Sequence, residues 1–286
     1  MISMKTLQLF FIFFIASSRV LAQDDVAVCH TSSTEKFAMF ASNKSFNSEH
    51  PNPRVYVHVS QAGGKMIKFK TPDGKEANGY WVEAKKKTNN WIFVFQEWWG
   101  LNDNIKRSSE DLYNDLGNVN VLALDMYDGN MATDPKDAQK YMQEFKQERG
   151  DNIVNGALAF AGPGAKVGTV GWCFGGGQSM QAALTAGKQA AACVIYYGMP
   201  EDKVERLKTL HCDILDIYGT KDQWINTDVT KKFEANMKAA GKNLTVKSYD
   251  ADHGFASPSN PLGHFDEAAY KDSYKITVEF FKAKLK

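Results

Sequence analysis

Cys173 lies in Gly171-Trp172-Cys173-Phe174-Gly175-Gly176, after the β-branched run Val167-Gly168-Thr169-Val170 and before a stretch, Gln178 to Ala186, that reads as a helix. A thiol flanked by glycines between a strand and a helix has the pattern of a nucleophile held on a sharp turn. The geometry explains the glycines. Backbone at such a turn is strained, and a side chain at either flank would strike neighbouring elements. The turn lifts the sulfur above the sheet and aims the next amide, that of Phe174, at a developing oxyanion. The helix N-terminus adds positive potential that favours thiolate. A buried structural cysteine or a nucleotide-binding glycine loop shares this short pattern, so the residues downstream decide.

Asp213-Ile214-Leu215-Asp216-Ile217-Tyr218-Gly219 reads as a strand and runs into Thr220-Lys221-Asp222-Gln223. Leu244 to Tyr249 alternates as another strand and runs into Asp250-Ala251-Asp252-His253-Gly254-Phe255. Asp222 and His253 therefore each sit just past the C-terminal end of a strand, where open α/β sheets place their sites. A histidine there takes the thiol proton, and an aspartate fixes its tautomer and orientation. Taken singly, Asp222 could be a turn cap and His253 a structural histidine. Among rival acids, Asp216 lies inside its strand, and Asp250 and Asp252 are too near His253 in sequence to face it easily. The order nucleophile, acid, histidine is that of the α/β-hydrolases.

The buried strand Trp91-Ile92-Phe93-Val94-Phe95 ends in Gln96-Glu97-Trp98-Trp99-Gly100-Leu101. The loop after this strand is where a second oxyanion donor is expected, and the amide of Trp98 is the candidate. Glu97 reads either as a solvent-facing charge or as a carboxylate beside Cys173, where it would alter when the thiol ionises. The tryptophans read as core or as pocket wall, and Trp99 and Tyr127 are the candidate substrate contacts.

These residues need a sheet to hold them. Met66 to Lys70 and Gly79 to Ala84 read as strands joined by the turn Thr71-Pro72-Asp73-Gly74. Strands and helices then alternate: a helix from Asn104 to Leu116, a strand from Val119 to Leu124, a helix from Asp134 to Glu148, the strand before Cys173, and a final helix from Glu267 to Leu285. The expected class is α/β: a mostly parallel sheet with antiparallel opening strands and helices on both faces.

The chain has 286 residues and a net charge of +1, with scattered lysines, so nothing points to nucleic acid. Residues 1–22 carry Lys5, an apolar run from Leu7 to Ala16 and Val20-Leu21-Ala22, which reads as a secretory signal peptide cut near Gln23. The run is short for a membrane span, and an uncleaved anchor is the alternative. The mature protein is expected to be secreted or periplasmic. Residues 23–55 form a polar N-terminal extension in which Ser32-x-x-Glu35 suggests a capping box for a short helix carrying Phe37, Met39 and Phe40, packed on the main domain of 56–286. Of the four cysteines, Cys29, Cys193 and Cys212 remain beside Cys173; small buried hydrophobes are the expectation for Cys193 and Cys212. Cys29-His30 lacks a second ligand pair, so no metal is expected.

Together, Gln96 to Asn102, Asp125-Met126-Tyr127, Gly171 to Gly176, Tyr218 to Asp222 and Ala251 to Phe255 resemble the dienelactone hydrolase family. The resemblance runs from about residue 60 to the C-terminus. It implies an α/β-hydrolase fold and hydrolysis of a small-molecule ester or lactone without metal or organic cofactor. It also implies a Cys173–His253–Asp222 triad, with Glu97 held near the resting thiol and shifted when substrate binds. Where such enzymes carry two arginines for a substrate carboxylate, this chain has Gly129 and Ser257. Neither pairs with an anion as arginine does, so neutral substrates are expected unless a cation such as Lys106 substitutes. A non-catalytic binding protein on the same fold is the alternative function, and a thiol redox protein a further one.

Overall fold

The computed structural model describes residues 32–48, 50–257 and 263–286. The expected leader and Cys29 lie outside the described residues. Two short helices come first, α1 (Ser33–Ala41) and α2 (Lys44–Ser48). The strands β1 (Lys65–Lys70) and β2 (Glu76–Val82) form an antiparallel pair. Their turn closes at Gly74, whose φ of +78° favours glycine, with Gly74 N donating to Thr71 O at 3.0 Å.

The remaining elements alternate: β3 (Asn90–Phe95), α3 (Asp103–Leu116), β4 (Asn120–Leu124), α4 (Pro135–Glu144), α5 (Gln147–Ala161), β5 (Lys166–Trp172), α6 (Phe174–Ala186), β6 (Ala190–Tyr196), α7 (Val204–Leu207), β7 (Asp213–Gly219), α8 (Thr227–Ala240), β8 (Leu244–Tyr249) and α9 (Glu267–Lys284). The sheet order is β1-β2-β4-β3-β5-β6-β7-β8. β1, β2 and β4 pair antiparallel, and every pairing from β4 through β3 to β8 is parallel. Central strands read as unbroken apolar runs because both faces are covered: Ile92, Phe93, Val94 and Phe95 are all fully buried. α3 packs with α9, and α5 with α6. Among the described residues no helix is long and apolar enough to cross a membrane.

Two expectations are corrected. The helix expected over Asp134 to Glu148 is two helices. Phe145 leaves α4 in extended backbone (φ −61°, ψ 132°), and its ring packs against Tyr127 and Phe174. α5 then starts at Gln147 and runs to Ala161. Its glycines, which disguise it as a loop in sequence, permit close packing: a Cβ at Gly156 would stand 2.6 Å from Lys70 O. The second strand also begins earlier than expected, at Glu76, and ends at Val82. Cys193 lies within β6 and Cys212 just before β7; both are free and buried.

Within the N-terminal extension the capping box forms: Glu35 N donates to Ser32 Oγ at 3.1 Å and Ser32 N to Glu35 Oε2 at 2.7 Å. Phe37 points inward, whereas Met39 is 68% exposed. α1 lies against α4 and α6. Lys36 pairs with Asp202, and Gln178 Nε2 donates to Thr34 Oγ1 at 3.0 Å. Phe37, Ala41 and Phe46 are buried, each aromatic contributing about 1.5–3 kcal/mol to the docking of this segment.

Candidate active site

The chain leaves β5 and enters α6 through Cys173, whose backbone sits at φ 57°, ψ −120°. A non-glycine residue at positive φ is strained, and such strain persists only where the surroundings impose it. Here they do: Cys173 N donates to Tyr196 O at 3.0 Å, and Gly176 N to Cys173 O at 3.0 Å. The flanking glycines are required by close approach. A Cβ on Gly171 would stand 2.1 Å from Gly175 O, and one on Gly175 would stand 2.3 Å from both Gln96 O and Phe95 O. The turn is thus pressed against the end of β3, which carries Glu97, Trp98 and Trp99.

Asp222 and His253 follow β7 and β8, as their positions in sequence predict. Asp222 Oδ2 stands 2.7 Å from His253 Nδ1, while Oδ1 accepts the amides of Trp224 at 2.7 Å and Ile225 at 2.8 Å. Burial opposes charge on this carboxyl, yet His253 and the two amides hold it below the ordinary carboxylate range. A carboxylate only accepts, so Nδ1 of His253 carries the proton and Nε2 is left toward the thiol. Among the described residues His253 Nε2 makes no hydrogen bond. Burial again opposes the charge, but Asp222 and the Cys173 sulfur raise the imidazole well above its usual range. Cys173 moves upward as well, first through burial; His253 pulls it down and Glu97 pushes it up again. Burial and the Glu97 charge thus both favour the thiol form of Cys173, and His253 opposes them.

Glu97 is 8% exposed, and its Oε2 accepts from Ser257 Oγ at 3.1 Å. Ser257 thus contacts the carboxylate whose charge acts on the Cys173 thiol. Neither the amide of Trp98 nor that of Phe174 donates to a backbone carbonyl among the described residues. The Phe174 amide reaches the Cys173 sulfur and draws its pKa down.

The cavity at the sulfur is lined by His50, Glu97, Trp98, Trp99, Cys173, His253, Gly254 and Ser257. Both tryptophans are walls of it. Tyr127 is not; it lines a separate surface cleft with Tyr141, Phe145 and Arg149, although its buried hydroxyl feels the Cys173 charge. Among the described residues no lysine or arginine lines the cavity. Gly129 N is bonded to Asp125 Oδ2 at 2.6 Å, and Lys106 is paired with Asp103 at 2.7 Å.

Sequence reasoning missed the roof. The cavity holds about 10 Å³, room for about one water, and His50, with Phe37 and Phe46 beside it, lies over it. The ring centroid of His253 is 5.3 Å from that of His50, 6.0 Å from that of Phe46 and 6.4 Å from that of Phe37. His50 also packs edge-on against Trp98 at 4.8 Å. Burial pushes the His50 imidazole down to about 3, with the His253 charge adding to the shift. The available signal was Phe46-x-x-x-His50, an aromatic pair one helical turn apart. Tyr197 was missed as well. It is fully buried at φ 36°, with its ring 5.0 Å from His253.

The chain is similar to known proteins over most of its length. The sequence profile of the dienelactone hydrolase family matches residues 77–285. The chain is similar to the "Putative carboxymethylenebutenolidase" of Aquifex aeolicus, with 28% identity over 234 residues, covering 78% of this chain and 100% of that protein. It is 29% identical to "Protein usf" of Aquifex pyrophilus over 235 residues, covering 77% of this chain and 98% of that one. The fold is shared with a dienelactone hydrolase-like promiscuous phosphotriesterase, P91, from metagenomic libraries: TM-score 0.66, 21% identity, 78% of this chain and 99% of that chain. With the profile spanning most of its length, the chain belongs to the dienelactone hydrolase family and is an ester- or lactone-hydrolysing enzyme of the α/β-hydrolase fold.

Proposed function

We propose that hydrolysis proceeds through Cys173 as nucleophile, His253 as acid and base, and Asp222 as the group that orients it. The observation that carries this reading is the 2.7 Å Asp222–His253 contact with the unpartnered Nε2 facing a thiol held at positive φ. His253 takes the thiol proton as sulfur attacks the carbonyl carbon. The amides of Trp98 and Phe174 receive the oxyanion. Collapse breaks the carbon–oxygen bond, and His253 returns its proton to the leaving alkoxide. In a lactone that alcohol stays on the acyl chain. Water then attacks the thioester, its proton passing to His253, and the acid leaves with the thiol restored. Glu97 holds the thiol protonated until substrate arrives.

The apolar wall of Trp98 and Trp99, with no lysine or arginine among the described lining residues, favours neutral substrates. The leader-like residues 1–22 support an exported protein, and N-terminal sequencing of secreted material is expected to begin near Gln23; a start at Met1 on exported protein overturns that reading. The central test is turnover of a short activated aryl ester. Cys173→Ala is expected to lower kcat/KM at least about a thousandfold with unchanged circular dichroism, while Cys193→Ala and Cys212→Ala stay within about threefold. Ordinary activity in Cys173→Ala overturns the mechanism.

A further inference from the structure

We infer that Cys173, His253 and His50 together form a three-donor site for a thiophilic divalent ion, Zn²⁺ or Cd²⁺, which blocks the nucleophile while the N-terminal segment is docked. One donor atom from each residue lies within 4.8 Å of the other two, and all three residues are buried. The inference rests on the same thiol that the hydrolytic reading uses, but His50 has no part in that reading.

The tautomers favour coordination. Phe46 O, 2.6 Å from His50 Nδ1, only accepts, so Nδ1 carries the proton and Nε2 keeps its lone pair. Asp222, 2.7 Å from His253 Nδ1, holds the proton there and leaves Nε2 as the nitrogen that can turn to the ion. Metal-binding histidines are characteristically oriented by a carbonyl or carboxylate on the far ring nitrogen, which fixes the tautomer and raises ligand basicity. Both histidines here have that support before any ion arrives. His253 Nε2, buried and without a hydrogen bond among the described residues, faces the cavity.

The dimensions are close to those required. With Zn–N of about 2.0 Å and Zn–S of about 2.3 Å, donors in a tetrahedral site stand about 3.3–3.6 Å apart. The present spread of up to 4.8 Å closes with side-chain shifts of about 1 Å. The fourth position faces the water-sized cavity, and the Glu97 carboxylate on its wall offsets the ion's charge. Binding releases the Cys173 thiol proton and any proton carried by His253 Nε2, both to solvent, and forms sulfur–metal and nitrogen–metal bonds; nothing is oxidised or reduced. Bound metal would remove both the nucleophile's lone pair and the base's, so hydrolysis stops.

His50 comes from a segment outside the stretch matched by the family profile, residues 77–285. The third donor is therefore a property of this chain's extension, and docking and metal binding reinforce one another. A chain with the segment displaced keeps two donors and holds the ion more weakly.

The test uses the mature chain, stripped with a chelator and titrated with Cd²⁺ and then Zn²⁺ by calorimetry and ultraviolet absorption. The expected result is one ion per chain, a thiolate-to-cadmium charge-transfer band, and loss of ester turnover restored by chelator. His50→Ala is expected to weaken binding at least about tenfold, as for loss of a ligand or its support. Because His50→Ala also loosens the segment, His50→Cys is the second variant: a thiolate in place of imidazole is expected to retain tight binding and roughly double the band, since the band scales with thiolate number. Equal Cd²⁺ affinity in the unaltered chain and His50→Ala, or no thiolate band, overturns the site. Turnover of the metal-free chain reports the hydrolytic reading separately: binding without turnover sinks that reading alone, and turnover without binding sinks the metal site alone.

Discussion

The two walls of this active site are built by different means. One wall is the C-terminal edge of the sheet, where Cys173, Asp222 and His253 sit on strand ends fixed by backbone pairing and glycine contacts. The other is the segment 33–50, held by Phe37, Phe46, the Lys36–Asp202 pair and a few side-chain hydrogen bonds. Two histidines show the contrast. His253, beside a carboxylate, is pushed up; His50, beside a carbonyl and a second imidazole, is pushed down to about 3. Burial opposes charge on both, and the neighbour decides the outcome. The first wall is inseparable from the fold, whereas the second can leave without unpairing a strand.

The sharpest way to test this contrast is to damage each wall in turn. Gly171→Ala puts a Cβ 2.1 Å from Gly175 O, and backbone on both sides prevents relief. Loss of folded protein, with a stability deficit of more than about 4 kcal/mol, is expected in denaturant unfolding. Phe46→Ala removes a fully buried ring from the roof and is expected to weaken docking by about 3–5 kcal/mol. Sheet circular dichroism should hold, while kcat/KM for bulky esters rises at least about tenfold as the cavity opens. A fall in turnover would mean that the roof is part of the binding site rather than a cover.

A smaller effect comes from pH. His50 has a folded-state pKa of about 3, and His253, Asp222 and His264 are the other titratable groups acting on it. Its ordinary value is about 6.5, so in the undocked segment it takes a proton as pH falls below that. The docked form does not, so docking is fully favoured above pH 6.5 and weakens by about 1.4 kcal/mol per unit below it, about 2 kcal/mol at pH 5. Trp98 and Trp224 both touch Phe46, and their emission should shift to the red between pH 7 and 5. His50→Gln should flatten that transition; an unchanged transition would assign it to another group.

The smallest effect concerns substrate charge. With no lysine or arginine among the described residues of the cavity wall, a neutral ester should exceed a matched carboxylate-bearing one by about tenfold in kcat/KM. Preference for the anion would reveal a cation recruited when the roof moves.

The first wall was legible in sequence because its chemistry is local. Gly171 to Gly176, Gly219 to Asp222 and Ala251 to Phe255 each carry their strand, turn and functional residue within about a dozen positions. The sheet was legible for the same reason, since its buried strands are continuous apolar runs. α5 was not, because Gly150 and Gly156 serve packing against Phe145 and Lys70 while diluting the helical pattern. His50 was not legible either. Nothing near it in sequence implies a thiol 123 positions away, from residue 50 to residue 173. That contact exists only because α1 docks on α4 and α6.

The near-complete burial of Cys173, 2% exposed, makes its thiol a clock for the motion above it. An alkylating reagent larger than water reacts only during excursions of the segment, so the observed labelling rate is the opening equilibrium multiplied by the rate for an unhindered thiol, as in amide exchange. An opening free energy of about 3 kcal/mol would slow labelling about 150-fold. Every condition that stabilises or loosens the segment is then readable from a single sulfur, without substrate and without turnover.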